Sequence, residues 1–315
     1  MNHTIIFDDR DLESFHVDNK SKLLSSFLME SEEPVSYSFL HLTVQEFFSA
    51  FVHYADYSPE KLQKSLEKAK SYPDGRGEMF LRFLCGLSDA TTRSLLTGYL
   101  DTRAAQASRD VITWLKNFIT GGGEEEEKEG GEMLEAGEEE RLEESENKKQ
   151  LLRTFFYLFE TRNKVLVQES LQSHRTLDLS YVPLSALDCT MLSFIIECCS
   201  HIEGLHLSGC SITPEGLERL APGLHNLRDL RLDNNVLPDT SCVPLASVMR
   251  NNPDLEILVL SGNRLPGPDL SVLLEALSGL CRLEGLYLRD NGFSEEEKKE
   301  IEKLKKDKPN MYIRY

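Results

Sequence analysis

A chain of 315 residues with 40% hydrophobic content is long enough for about two ordinary domains and apolar enough to build cores, which excludes disorder over its whole length. Its net charge of −18, with no basic stripe to replace phosphate counterions, disfavours direct nucleic-acid binding. Half of that charge sits in one place, because residues 124–149 hold thirteen Glu against four Lys or Arg, a balance of −9.

The first residues, MNHTIIFDDRDLESF, carry acid where a signal peptide needs a basic and then apolar run, and no stretch reaches 18 uncharged apolar residues. Seven cysteines, an odd number with no C-x-x-C pair, fit buried thiols in a reducing compartment better than a disulfide framework or a metal site. The expectation is a cytoplasmic protein with no membrane span.

Residues 37–54 read YSFLHLTVQEFFSAFVHY. Tyr37, Phe39 and His41 alternate with Ser38, Leu40 and Leu42, which suits a short strand, and Thr43 with Glu46 forms a T-x-x-E capping box. The spacing therefore predicts a helix from about Val44, with Val44, Phe47, Phe48 and Phe51 on one apolar face. His41 falls between strand and helix, where open N–H groups and the helix dipole favour an anion. Polar breaks at SEEP, YSPE and SYPDGRG divide the following stretch to residue 118 into several helices, FLRFLCGL and VITWLKNFI among them.

The segment GGGEEEEKEGGEMLEAGEEERLEESENKK, residues 121–149, has little to bury and is expected to be a disordered acidic linker. Helical periodicity resumes in QLLRTFFYLFE and KVLVQESLQS, to about residue 173.

Beyond residue 174 the chain repeats itself. The template L-x-L-x-x-N-x-L is met five times, beginning at Leu177, Leu205, Leu230, Leu258 and Leu286, at intervals of 28, 25, 28 and 28 residues. That period accommodates one strand and one helix per unit, and five units exceed the three needed to bury a shared core. Thr213-Pro214 and DLSVLLEAL supply intervening helices. At the template's polar position stand Cys210, Asn235, Asn263 and Asn291, whose side chains are expected to turn inward and bond adjacent loops. The residues between the template leucines, Asp178, His206, Arg231, Val259 and Tyr287, flanked by Arg289, then line an open inner face roughly 20 Å across, suited to a protein partner. A charged helix with an S-x-x-E box at Ser294 and Glu297, then NMYIRY as a last strand, closes the array.

These residues carry a resemblance. FLHLTVQEFFSAF is similar to the end of the winged helix of vertebrate NLR proteins, the cytosolic nucleotide-binding leucine-rich-repeat receptors. FLRFLCGL and the helices to about residue 173 resemble the helical domain that follows, and the repeats resemble the ribonuclease-inhibitor type. The resemblance implies a partial winged helix over 1–55, a helical domain over 56–173 interrupted by the acidic linker at 121–149, and an α/β solenoid of leucine-rich repeats over 174–315. It implies a ligand-sensing, autoinhibitory C-terminal portion of an innate-immune receptor. The alternative is a free-standing repeat scaffold that inhibits a partner as ribonuclease inhibitor does.

In the family, ADP or ATP is held by a NACHT ATPase module, and a histidine in the matching FLH position, here His41, contacts phosphate. No G-x-x-x-x-G-K-[ST] loop occurs in this sequence, so no cofactor and no catalytic activity are expected of the chain itself. The expected partners are a protein or ligand on the inner face and the receptor's own NACHT module.

Overall fold

The computed structural model describes residues 6–7, 27–32, 35–39, 41–72, 75–120 and 138–315. The chain divides into two compact units, Met1–Phe118 with Glu160–Arg162, and Ile119–Phe159 with Asn163–Tyr315.

In the first unit, strands β1 (Ile6–Phe7), β2 (Leu28–Glu32) and β3 (Val35–Phe39) form an antiparallel sheet in the order β1-β3-β2. Helix α1, Leu42–Ala55, follows, then α2 (Pro59–Lys70), α3 (Glu78–Gly86), α4 (Ala90–Ser94) and α5 (Ala104–Thr120). Ser58 caps α2 by accepting from the Lys61 N–H, with Pro59 at the first helical position. Buried Phe80, Leu81, Leu84 and Cys85 of α3 meet a core that includes Tyr54, Leu62 and Leu66. An Arg82–Glu160 ion pair at 3.0 Å joins distant parts of this unit.

Helix α1 corrects the sequence reading. It starts at Leu42, with His41 as an extended N-cap whose side chain makes no cap bond, and the Thr43–Glu46 box does not form. Glu46 is instead buried with Ala50, His53 and Tyr54. Phe47 and Phe51 are half-buried and Phe48 is exposed. The phenylalanines pack edge to face, Phe47 with Phe83 at 5.5 Å and Phe48 with Phe27 at 5.4 Å. Phe47, Phe48 and Phe51 lie along the side of the helix and leave its innermost stripe to Glu46, Ala50, His53 and Tyr54, and periodicity alone cannot rank the two stripes.

Helix α6, Glu138–Thr161, lies in the second unit as far as Phe159, and α7, Lys164–Leu171, lies wholly in it. Residues 138–149 were expected to be linker and are helical. Glu, Lys and Arg are strong helix formers, and the oppositely charged residues fall at helical spacing: Lys148–Glu144 is 2.7 Å and Lys149–Glu146 is 3.4 Å. The rest of that expected linker, 121–137, lies outside the described residues.

Six parallel strands in chain order form the solenoid: β4 (Thr176–Asp178), β5 (Gly204–His206), β6 (Asp229–Arg231), β7 (Ile257–Val259), β8 (Gly285–Tyr287) and β9 (Tyr312–Arg314). Helices α8 (Ala186–Cys198), α9 (Pro214–Leu220), α10 (Cys242–Asn251), α11 (Leu270–Gly279) and α12 (Glu295–Asp307) alternate with them. The register aligns Leu177, Leu205, Leu230, Leu258, Leu286 and Ile313, all buried, across the sheet. NMYIRY supplies a sixth strand, which pairs in parallel with β8.

The α12 start shows how local chemistry sets a helix boundary. Ser294 accepts from the Glu297 N–H at 3.3 Å while Glu297 Oε2 accepts from the Ser294 N–H at 2.8 Å, the expected capping box. We expect Ser294→Ala to cost about 1 kcal/mol of stability, measured by urea denaturation, and Ser294→Asp to restore most of it.

Candidate functional site

Each repeat strand alternates a buried leucine with residues that face outward, and parallel pairing sets those outward residues in rows. One row is Thr176, Gly204, Asp229, Ile257, Gly285 and Tyr312; the next is Asp178, His206, Arg231, Val259, Tyr287 and Arg314. The five residues expected on the inner face thus stand side by side in one row, with Arg289 exposed two residues beyond Tyr287. Tyr312 and Arg314, on the strand added by the C-terminus, extend this surface and were missed because the last strand falls outside the leucine template.

The two ends of the face differ. At the N-terminal end the charged groups satisfy one another. Asp178 accepts an ion pair from Lys148 at 3.2 Å. Burial works against its ionisation, but the bonds from Ser180 and Lys148 prevail and hold its carboxyl below the ordinary range. Asp229 accepts from Arg231 at 2.9 Å and lies 3.2 Å from His206 Nε2. Ser208 donates to Asp233 at 2.7 Å. At the C-terminal end Tyr287 and Tyr312 stack obliquely, with ring centroids 5.8 Å apart.

The inward polar residues form a ladder. Asn263 donates to the Leu232 and Leu260 carbonyls at 3.0 and 2.9 Å and accepts from the Asn235 and Leu237 N–H groups at 3.1 and 3.0 Å. Asn235 donates to Leu207 and Leu232 and accepts from Ile212. Asn291 donates to Leu260 and Leu288 and accepts from Leu265. Cys210, in the same template position, donates its thiol to the Leu179 carbonyl at 3.1 Å. A fully buried residue the template does not contain, Asn252, ties the Leu224 and Leu227 carbonyls at 2.9 Å.

A second ladder runs beside the first. Tyr181, Gly209, Asn234, Gly262 and Asp290 all have left-handed backbones, φ +68, +66, +57, +67 and +55°. Gly, Asn and Asp adopt that conformation at least cost, and their place directly before the template's polar residue is a signal the sequence carried. Tyr181 is the exception, a bulky side chain 72% exposed. Its ring lies against Gly209, where a Cβ would come within 2.8 Å of it.

Six cysteines are buried and Cys281 is exposed, a departure from the expectation of buried thiols throughout. Burial pushes Cys189 and Cys242 up to about 12 and Cys199 and Cys210 to about 11, so these thiols stay protonated and inert. Among the described residues no cluster of three or more His, Cys, Asp or Glu could hold a metal ion, and no helix is long and apolar enough to cross a membrane.

His41 is exposed at the α1 start, where its carbonyl accepts from Val44 and Gln45. One exposed imidazole beside a few open amides does not make a nucleotide site, and the described residues around His41 do not fit ADP or ATP by themselves.

A sheet of parallel strands with asparagine-laddered turns and outer helices, preceded by a helical region, defines a leucine-rich-repeat protein. A family model described as NLRC4 helical domain HD2 matches residues 41–169. The chain is 26% identical over 91% of its length to bovine NACHT, LRR and PYD domains-containing protein 3, covering 29% of that protein. It is 35% identical to mouse ribonuclease inhibitor over 38% of this chain and 27% of the relative, and 29% identical to rat NLR family member X1 over 47% and 15%. The chain therefore spans less than a third of the length of these relatives. The chain is thus similar to the helical domain HD2 and the leucine-rich repeats of NLR-family proteins, taken together. The HD2 match begins at His41 and so takes in α1, which the resemblance had placed at the end of a winged helix.

Proposed function

We propose that this chain is the ligand-sensing and autoinhibitory portion of a cytoplasmic NLR-type receptor and acts by protein binding through the inner face of its repeats. The observation that supports it is the outward row Asp178, His206, Arg231, Val259, Tyr287 and Arg314, six strands wide. At about 4.8 Å per strand it spans roughly 24 Å, the scale of a protein epitope. The partner is an external ligand or the receptor's own NACHT module.

The test is a titration of the full chain against the separately produced NACHT module of the bovine relative. Asp229→Lys with Arg231→Glu should weaken binding about tenfold if the inner face is the contact surface. Unchanged affinity in that variant would remove the inner face from the contact. The likeness to ribonuclease inhibitor favours a second reading, a stand-alone inhibitory scaffold, for which residues 41–169 would be dispensable in binding.

Phosphate contact by His41 belongs to the longer protein. Alone, the chain should show no ADP-dependent rise in melting temperature, and His41→Ala should leave the melt unchanged because the side chain is exposed. A saturable ADP shift abolished by His41→Ala would show that a nucleotide site exists here without the module.

A further inference from the structure

We propose that the C-terminal end of the inner face recognises an acidic segment of a partner protein in which an apolar or aromatic side chain stands between carboxylates. This rests on the protein-binding reading above and names the class of partner. Strands β7, β8 and β9 set Ile257, Gly285 and Tyr312 beside Val259, Tyr287 and Arg314. Gly285 leaves room for the Tyr287 ring, since a Cβ there would come within 3.2 Å of it. The ring settles over the strand next to Tyr312, which is 56% exposed. The result is a shallow aromatic floor with aliphatic groups on one side.

Two guanidinium groups border that floor. Arg314 is Tyr287's partner in the register, and Arg289 lies two residues along the strand direction on the same face. Both are exposed, and neither makes an ion pair among the described residues. The N-terminal end of the same face is different in kind, because Lys148, Asp178, Asp229, Arg231 and His206 are already engaged with one another.

In a chain of net charge −18, these two exposed guanidinium groups stand beside an apolar surface without an ion pair among the described residues, although Asp290 follows Arg289 in the sequence. Guanidinium binds carboxylate in a bidentate fork and loses little pre-organisation in doing so. A large apolar side chain seated on rigid tyrosines is the usual energetic centre of such a contact. The complement is a carboxylate on each side of an apolar anchor.

The probe is a fluorescein-labelled nine-residue peptide with a central phenylalanine flanked by four glutamates on each side, titrated against the full chain and followed by anisotropy. Binding should weaken about tenfold in Arg289→Glu with Arg314→Glu, and about tenfold in Tyr312→Ala. Melting curves should be unchanged in the arginine variant, whose side chains are exposed, and lowered only slightly in Tyr312→Ala, which loses its ring contact with Tyr287. Arg231→Glu with Asp233→Lys, farther along the same face, should weaken peptide binding far less than the arginine pair. If that second pair abolishes binding while the first does not, this assignment falls and the inner-face reading survives; if neither pair matters, both fall. Equal binding of a peptide with glycine at its centre, or of a short oligonucleotide, would reveal a general polyanion patch and overturn the proposal. So would self-association of the chain lost in the arginine variant, which assigns the surface to a second copy, and so would no binding at all.

Discussion

Asn263→Ala is expected to lower the stability of the repeat unit by about 3 kcal/mol. Asn263 is 3% exposed and answers four backbone groups, two carbonyls and two N–H groups, on two successive turns. Alanine fills none of those roles, and a water cannot replace the amide without space for it. The loss is not confined to one repeat, because Asn235 receives the Asn263 oxygen on its own N–H and passes the pattern on to Ile212. Tyr287→Ala, on the outward face of the neighbouring strand, should cost about 1 kcal/mol or less, chiefly the contact with Tyr312. Urea titrations followed by far-UV circular dichroism rank the two. A larger loss at Tyr287 than at Asn263 would mean that the ladder does not carry the turns.

Stability of the first unit should fall by about 2–3 kcal/mol as pH drops from 6.5 to 4, through His53. His53 is 5% exposed, stands edge-on to Phe80 at 5.9 Å, and has no partner for its Nε2. Burial first, and then the charge of Lys61, depress it to about 4. The unfolded chain therefore binds a proton between pH 6.5 and 4 that the folded chain refuses. The stabilisation is complete above about 6.5 and is lost progressively down to about 4.

Glu46, on the same buried stripe of α1, works in the other direction. Burial raises its carboxyl, so its contribution is fullest at low pH and is lost as pH rises through its folded value. The two are separated by His53→Leu, which should remove the acid-side loss and leave the opposing Glu46 slope exposed. The single tryptophan, Trp114 in α5, reports this unit by fluorescence during urea titrations at a series of pH values. An acid slope as steep in His53→Leu as in the wild type would place its origin elsewhere.

Much of this protein was determined by sequence alone, because the deciding forces are local or periodic. The five leucine templates required a strand and a return segment in each repeat, and once stacked they could bury only the leucines. Thr213-Pro214 and the Ser294–Glu297 pair act within four residues of themselves, and both helix starts form as their chemistry demands. The inner-face row followed from strand alternation, a two-residue period that no tertiary contact can change. Where a residue's role depends on what arrives from far along the chain, the local pattern failed. Thr43 and Glu46 have the form of a capping box, but Glu46 is drawn into the core of the first unit, and the aromatic side of α1 is only half covered. The acidic segment reads as solvated by composition, yet its last residues enter α6, where Lys148 is held both by Glu144 one turn away and by Asp178 thirty positions on. Tyr312 and Arg314 gain their place only when the C-terminus adds as a sixth strand. Only the tertiary structure could decide which inner-face charges are neutralised and which stand open, because ion pairing depends on distances across strands and from helix to sheet, and sequence spacing does not set those distances.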